Sequence, residues 1–299
     1  MSPEIVEIGW QDVAWHAVFF RHVSEEFDGI DFAGWAEAGG WTARYTVFAL
    51  VEGGAIVSTV GVSRMQLVVG AQAGDASPAR IVRPALQLGA VATRADRRGK
   101  GLAARLMCRV LALADADDLP VLLFANSTVT GFYPRFGFRP VKPSRVWVRE
   151  VLLPAVERGA GLDPMCAADR LRIEALCARS LPHRGALSAM PDPAILLWYL
   201  CNDVGRALSV DGGRSVIVVS EHKRILRVHD WVGQLPPNPL AHLGAVIHDR
   251  VERIEFGFLP PPAWFAARLQ TVPDEDAFMF CRGVPLAGES LVFPAFLRT

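Results

Sequence analysis

The sequence predicts two α/β domains, each combining strands and helices. Three observations carry that reading. The chain has 299 residues, against roughly 100–200 for a typical domain. Short apolar runs of strand length alternate with segments of helical period. A Gly/Pro cluster (Pro154, Arg158-Gly159-Ala160-Gly161, Asp163-Pro164) divides the chain near its middle. It separates a first domain over residues 1–153 from a second over 165–299.

In the first half, residues 10–38 carry Trp10, Trp15, Phe19 and Phe20, then Glu25 and Glu26, at mixed helical spacing that predicts two short helices. A strand over 45–49 leads into Glu52-Gly53-Gly54, whose glycines allow the positive φ of a hairpin turn. The partner strand runs over 55–65, and Gly70 to Ser77 form a loop. Residues 86–93 read as a strand ending in a charged turn, 94–100. A helix follows over 101–114, with Leu102, Leu106, Val110 and Leu113 on one face. The run over 121–125 is continuously apolar, as in a central strand, and a last strand lies near 146–148. The second half predicts helices over 167–179 and 193–199. A hairpin pairing 215–220 with 225–230 follows. A helix over 239–250, a strand over 253–258, a helix over 263–269 and a strand over 277–282 complete it. The two halves share this coarse order without any residue-level repeat.

Composition excludes several function classes. Thirty-one basic residues balance 31 acidic ones, with 51% hydrophobic residues, a pI of about 7.1 and a mean hydropathy of +0.25. Such a chain buries a sizeable core and has no general electrostatic grip on nucleic acid. No apolar run of about 18 residues predicts a membrane span. The acidic start, MSPEIVEIGW, is unlike a secretory leader. Five cysteines without paired spacing read as reduced, mostly buried thiols, which points to the cytoplasm. The seven histidines show no metal-ligand spacing, so no metal is expected. His222 and His229 read as surface residues of a hairpin, and His183 as a loop residue able to line a pocket.

Chemistry concentrates in residues 88–106, a buried strand, a glycine-bearing basic turn and the first turn of a helix. The leading N–H groups of a helix lack intrahelical partners, and the dipole adds about half a positive charge there. Gly99 and Gly101 remove side chains that would hold an anion away from that backbone. A dinucleotide fingerprint fails, because its third glycine would be Ala104 and its acid would be Asn126. A P-loop fails for want of Gly-Lys-Ser/Thr. What fits is R-x-x-G-x-A, spelled Arg98, Gly99, Lys100, Gly101, Leu102, Ala103. Asn126 then ends the next strand, and Thr130 to Phe138 (TGFYPRFGF) follows at family distance. On these two motifs the chain resembles the GNAT superfamily of N-acetyltransferases, over roughly residues 40–150.

The resemblance implies a GNAT fold with a mixed, largely antiparallel sheet. It also implies acetyl-coenzyme A as acyl donor and a primary amine of a small molecule as acceptor, which attacks directly in a ternary complex. Donor-binding residues would be Val91, Ala92 and Thr93 of the strand, Arg98, Gly99, Lys100, Gly101, Leu102 and Ala103 of the loop, and Asn126. A backbone N–H near Val91 would meet the thioester oxygen. Tyr133 matches the family's general acid, which protonates the departing thiolate; its position between Phe132 and Phe136 also suits plain packing. Glu25, Glu26, Asp28 and Asp31 fall in the segment that forms the acceptor wall in this family, where a solvated helix face is the competing reading. Two other functions stay open: a coenzyme A-binding sensor without turnover, and an acetyltransferase acting on protein lysines or N-termini. Assembly into a homo-oligomer is left open. The second half has no R-x-x-G-x-G/A, so it is expected to be a degenerate GNAT-like domain that serves as lid or acceptor-side wall. The apolar C-terminal run, Phe293 to Thr299, is expected to be tucked into the fold. In some aminoglycoside-acetylating relatives the chain-terminal carboxylate serves as a base.

Overall fold

The structure is a computed structural model describing residues 3–27, 29–70, 80–247, 250–265, 268–284 and 291–298. In its first half the chain forms β1 (Glu4–Ile8), α1 (Val13–Glu26), α2 (Phe32–Glu37), β2 (Tyr45–Glu52), β3 (Ala55–Val69), β4 (Ile81–Thr93), α3 (Leu102–Ala116), β5 (Val121–Ala125), β6 (Arg139–Val141) and β7 (Ser144–Leu152). The second half adds β8 (Ala160–Leu162), α4 (Ala167–Cys177), β9 (Leu187–Ala189), α5 (Pro193–Cys201), β10 (Arg206–Val210), β11 (Ser215–His222) and β12 (Ile225–Gly233). It ends with α6 (Leu240–Gly244), β13 (Arg250–Phe256), β14 (Gln270–Pro273) and β15 (Phe278–Arg282).

Two mixed sheets result. The first has the order β1-β2-β3-β4-β5-β15-β6, with β9 paired to β3; the second runs β14-β7-β13-β12-β11-β10-β8. Each contains one parallel pair, β4–β5 and β12–β13. A helix forms part of each crossover, α3 in the first sheet and α6 in the second. The Gly53-Gly54 turn at φ +58° and +77° closes the β2–β3 hairpin, as two positive-φ residues must in a tight turn matched to strand twist.

The halves are interleaved. β15, from the C-terminal half, pairs antiparallel with β5 and β6 in the first sheet. β7, from the N-terminal half, pairs antiparallel with β13 and β14 in the second. The two exchanges are equivalent, since each half places one strand beside the other half's parallel pair. The expected division at 153–165 therefore does not separate the sheets. The Gly/Pro cluster marks a turn in the chain, while the sheet boundary is set by long-range pairing to which local composition is blind.

The first sheet has two covered faces. On one, Leu106, Met107, Val110 and Leu111 of α3 pack on Phe48, Leu50, Leu86, Leu88, Val121 and Leu123. On the other, alternate residues of the same strands meet α1, α2 and the chain end: Val47 and Ala49 join Phe19, Phe32, Trp35 and Trp41, and Leu122 joins Phe293 and Leu297. This period-two alternation makes the sheet a partition between two separate chemical environments.

Several expected elements differ. The helix over 239–250 is reduced to α6, where Gly244 lies so close to the Pro154 carbonyl that a Cβ would come within 2.3 Å. Of the helix expected over 263–269, residues 266–267 lie outside the described residues; before them Trp264 N–H closes a turn on Pro261 C=O (2.9 Å). Strands β1, β6, β8, β9, β10 and β14 lie outside the expected elements; β6, β8, β9 and β14, at three or four residues, are too short to show a period. The loop expected over 70–77 lies, apart from Gly70, outside the described residues. Among those residues no helix is long and apolar enough to cross a membrane, and no three His, Cys, Asp or Glu side chains group to hold a metal ion. Cys177 and Cys281 are buried, but Cys108 and Cys166 are exposed.

Candidate active site

The site begins with a gap between two strands. β4 and β5 pair in parallel over three positions only, Leu86 to Leu88 against Val121 to Leu123. Beyond Leu88 their ladder ends. On the other edge of β4 the register with β3 steps from Gly61↔Gly89 to Thr59↔Ala92. Ala90 and Val91 thus face the single residue Val60, and Ala90 takes φ +45°. This is a bulge, which bends a strand and takes residues off its ladder. Thr59 Oγ1 donates to the Ala90 carbonyl (2.8 Å) and Ser58 Oγ to that of Ala92 (2.9 Å), bracing it from β3.

A cavity of about 1150 Å³ opens at this gap. Gly89 to Thr93 and Phe124 to Asn126 form its two sides. At one mouth lie Arg97, Arg98, Gly99, Gly101, Leu102 and Ala103. Gly99 and Gly101 adopt φ +76° and +75°, and a Cβ built on either meets nothing within 4 Å. Gly101 in this left-handed conformation is the N-cap of α3. Within α3 the first N–H to find a partner is that of Arg105, on Gly101 C=O (3.0 Å). The backbone donors before it have none inside the helix. The space in front of the loop is open, and the only charge the backbone offers it is positive.

The basic side chains around this loop are mostly committed. Arg94 pairs with Asp96 (3.1 Å), Arg97 with Glu52, and Lys100 Nζ donates to Asp96 C=O (3.2 Å). Arg105 reaches Pro3 C=O (2.7 Å). Arg98 donates to Thr93 C=O (3.0 Å) and to the Glu26 carboxylate (2.7 Å). Anion binding here would rest on the backbone first and on Arg98 second.

Tyr133 sits on a 3-10 turn, Tyr133–Phe136, and is buried while lining the cavity. Burial pushes its hydroxyl up to about 12. Its ring contacts are Phe132 (5.3 Å), Phe138 (6.1 Å) and Phe280 of β15 (5.4 Å); Phe136 packs on Phe132 instead (5.0 Å). The contact with Phe280 could not be anticipated, because β15 belongs to the other half of the sequence.

Across the sheet from α3, Phe27, Ile30, Phe32, Trp35 and Tyr45 form an apolar wall, closed by Ile195 and Trp198 of α5. Trp35 Nε1 donates to Ala194 C=O (2.7 Å), Arg44 pairs with Asp192 (2.9 Å), and Asp31 N–H donates to the Asn202 side chain (2.8 Å). The second half is thereby fastened over this wall.

Of the expected site residues, Val91, Ala92, Thr93, Arg98, Gly99, Gly101, Leu102, Ala103, Asn126, Tyr133 and Glu26 share the one cavity. Lys100 and Glu25 lie off its wall; Glu25 is exposed, about 100° around α1 from Glu26. Asp31 caps α2 through Gly34 N–H (2.9 Å). Asp28 and Thr299, with its terminal carboxylate, lie outside the described residues. His183 does not reach the cavity: it hydrogen-bonds Asp230 (2.7 Å) and stacks on Phe258 (4.1 Å). His229 is half-buried against Phe296 (4.7 Å), which lowers its pKa to about 4. Residues that sequence reasoning missed are Trp35, Tyr45, Trp198 and Arg298, all on the cavity wall. They lack a local motif and meet only through tertiary packing.

The parallel pair that parts beyond a bulge, with a glycine cradle at the head of the crossover helix, is the core of an acyltransferase fold. Residues 15–141 match the sequence model of the acetyltransferase (GNAT) domain. Over 94% of its length the chain resembles a probable N-acyltransferase from Enterococcus faecalis V583, with TM-score 0.59, 14% identity and 73% of that chain covered. A GCN5-related N-acetyltransferase from Kribbella flavida gives TM-score 0.54 at 15% identity, covering 94% of this chain and 71% of that one. Saccharomyces cerevisiae N-myristoyltransferase with bound myristoyl-CoA gives 0.51 at 12%, covering 96% and 84%. No curated protein sequence matches the chain.

The second half keeps the architecture without the cradle. Its crossover from β12 to α6 reads Gln234-Leu235-Pro236-Pro237-Asn238-Pro239, and three prolines remove the N–H donors an anion would need.

Proposed function

We propose that the protein is a cytoplasmic enzyme that transfers an acetyl group from acetyl-coenzyme A to a primary amine of a small molecule by direct attack in a ternary complex. The observation that carries this reading is one cavity that spans the gap between β4 and β5, with a backbone anion cradle at one mouth and an aromatic wall at the other. The residues fit the donor: the open space at Gly99 and Gly101 admits a pyrophosphate that a Cβ would obstruct. When bound, acetyl-coenzyme A supplies an activated thioester carbonyl and a thiolate leaving group.

The N–H groups from Gly99 to Ala103 would hold the pyrophosphate, with Arg98 beside them, and Asn126 would hold the pantetheine arm. The N–H of Val91, on the bulge, would donate to the thioester oxygen. Tyr133 Oη would donate to the sulfur. Its raised pKa has a use here. A lysine-like alkyl amine is neutral only near and above about pH 10.4 in water, a range in which an ordinary phenol is already ionising, whereas Tyr133 keeps its proton. The apolar wall of Phe32, Trp35 and Trp198 disfavours an ammonium and so favours the nucleophilic neutral amine. Glu26, on the same cavity, would accept the proton the amine gives up. Closure of that wall by α5 supports a small acceptor over a protein segment.

Calorimetric titration with acetyl-coenzyme A tests the reading, and absence of binding at millimolar ligand would sink it. A screen of amines that reads free thiol then identifies the acceptor.

A further inference from the structure

The end of the chain brings a cation to the acceptor side of the cavity. Leu297 C=O accepts from Gln87 Nε2 (2.8 Å), and Arg298 C=O accepts from Tyr199 Oη (2.8 Å). Gln87 projects from β4 on the face opposite Leu86 and Leu88, away from α3. These bonds hold Arg298 on the cavity wall, with its guanidinium over the ring of Phe124 (4.8 Å). Phe124 is itself packed on Phe293 (5.6 Å).

This guanidinium is under-satisfied. Nη2 donates to Phe293 C=O (3.1 Å), while Nε is buried and without a partner. Among the described residues no carboxylate lies within ion-pair distance of it. Asp274, whose charge acts on it, is paired with Arg145 (3.5 Å). An arginine does not discharge by losing its proton, and burying its charge without a counter-charge is costly. Tyr45, which also lines the cavity, carries a second buried donor with no partner, its hydroxyl. Two unsatisfied donors on one largely apolar cavity call for a ligand group that only accepts hydrogen bonds and carries negative charge.

We infer that Arg298 binds a carboxylate of the acceptor, so that the amine acetylated here belongs to an amino acid or a similar molecule that carries amine and carboxylate together. The inference rests on the acyl-transfer reading and narrows its acceptor. Arg298 is then a specificity-determining residue that orients the acceptor by its acid end. The apolar wall receives the carbon skeleton.

The test uses matched pairs of amines that differ by the carboxylate: L-phenylalanine with phenethylamine, L-methionine with 3-(methylthio)propylamine, and 6-aminohexanoate with pentylamine. Thiol release from acetyl-coenzyme A is followed for the full chain, Arg298→Gln and Arg298→Lys. The expected result is that in at least one pair the acid has a kcat/KM about tenfold or more above its partner. Arg298→Gln erases the preference mainly through KM, and Arg298→Lys keeps part of it. Acetyl-coenzyme A affinity is expected to hold in both variants. Equal or better turnover of the amines lacking a carboxylate overturns the inference, as does an equal loss on both members of a pair in Arg298→Gln. A loss of donor affinity in the variants also overturns it, by assigning the cation to a donor phosphate. Tryptophan fluorescence, with Trp35 and Trp198 on the wall, gives a readout independent of turnover. N-acetyl-L-phenylalanine is expected to bind more tightly than N-acetylphenethylamine to the wild-type chain, and equal binding counts against the inference. Preferential acid binding with no acyl transfer would remove the proposed reaction and leave the carboxylate site standing.

Discussion

The ring of Tyr133 lies 5.4 Å from that of Phe280, so a candidate catalytic side chain of the N-terminal half is held by a strand from the C-terminal half. Replacing Tyr133 by Phe keeps this packing and removes only the hydroxyl. Turnover should fall by about 10²–10⁴-fold, the range for one general acid, with an almost unchanged melting temperature and donor affinity within a few-fold. Phe280→Ala should instead destabilise by about 3–5 kcal/mol, as an emptied aromatic site does. Steady-state kinetics and melting curves on the two variants separate chemistry from packing. Full activity in Tyr133→Phe would move the proton-donating role elsewhere and leave the fold assignment intact.

Gly101 should not tolerate a side chain. At φ +75° a non-glycine residue costs about 1–2 kcal/mol, so Gly101→Val should lower the folding stability by that much. Its Cβ meets no protein atom and projects into open space, so the larger effect should be on ligand, with acetyl-coenzyme A binding abolished. Calorimetry on the folded variant checks this; parental affinity would mean that the cradle does not hold the pyrophosphate.

The Glu26–Arg98 pair joins the acceptor wall to the cradle at 2.7 Å. Arg98 is 63% exposed, so the pair adds no more than about 1 kcal/mol to stability, and neither Glu26→Gln nor Arg98→Gln should move the melting temperature much. Their effects on the donor should be opposed. Arg98→Gln removes a charge-assisted partner and should weaken acetyl-coenzyme A about tenfold or more. Glu26→Gln removes a competing anion and should leave donor affinity unchanged or stronger. Titration calorimetry reads both, and weakening by Glu26→Gln would contradict the assignment.

Alkaline pH should unfold the protein in a defined window. The chain has three tyrosines, and burial raises all of them: Tyr133 and Tyr199 to about 12, Tyr45 further. An unfolded tyrosine ionises near pH 10. Below that pH both states hold the proton and the stability is intact. As pH rises from 10 towards 12 only the unfolded state gains by ionising, at up to about 1.4 kcal/mol per pH unit for each residue. The melting temperature should fall steeply over this window. Tyrosinate absorbance should rise together with loss of circular dichroism, and an earlier native-state titration would show that the hydroxyls are accessible.

The strand exchange predicts one cooperative unit. A fragment of residues 1–153 lacks β15, leaving β5 and β6 without their shared partner, and carries β7 without β13. It should aggregate or remain unfolded, while the full chain should melt in a single calorimetric transition. Two separated transitions would show that the sheets fold independently despite the exchange.

Much of the site was legible in local sequence. Gly99 and Gly101, the helical period of α3, the apolar run of β5 and the phased Tyr133 all report backbone conformations and faces that neighbouring residues impose. These signals were enough for the α/β class, for the resemblance and for the cradle. What local residues could not show was which strands neighbour β5. Pairing β15 there, and β7 beside β13, depends on hydrogen bonds between residues far apart in sequence, for which period and composition carry no term.

The amino-acid sequence alone thus determined the glycine-bearing loop at the head of α3, whose character lies in backbone N–H groups and glycine torsions, both local properties. Tertiary structure alone decided the aromatic side of the cavity. Trp35, Trp198 and Arg298 come to line one cavity only because α5 and the chain end fold back across the first sheet. The physical reason is the range of the forces involved: torsional preference and helix dipole act within a few residues, whereas burial and charge pairing act between any residues that packing brings together.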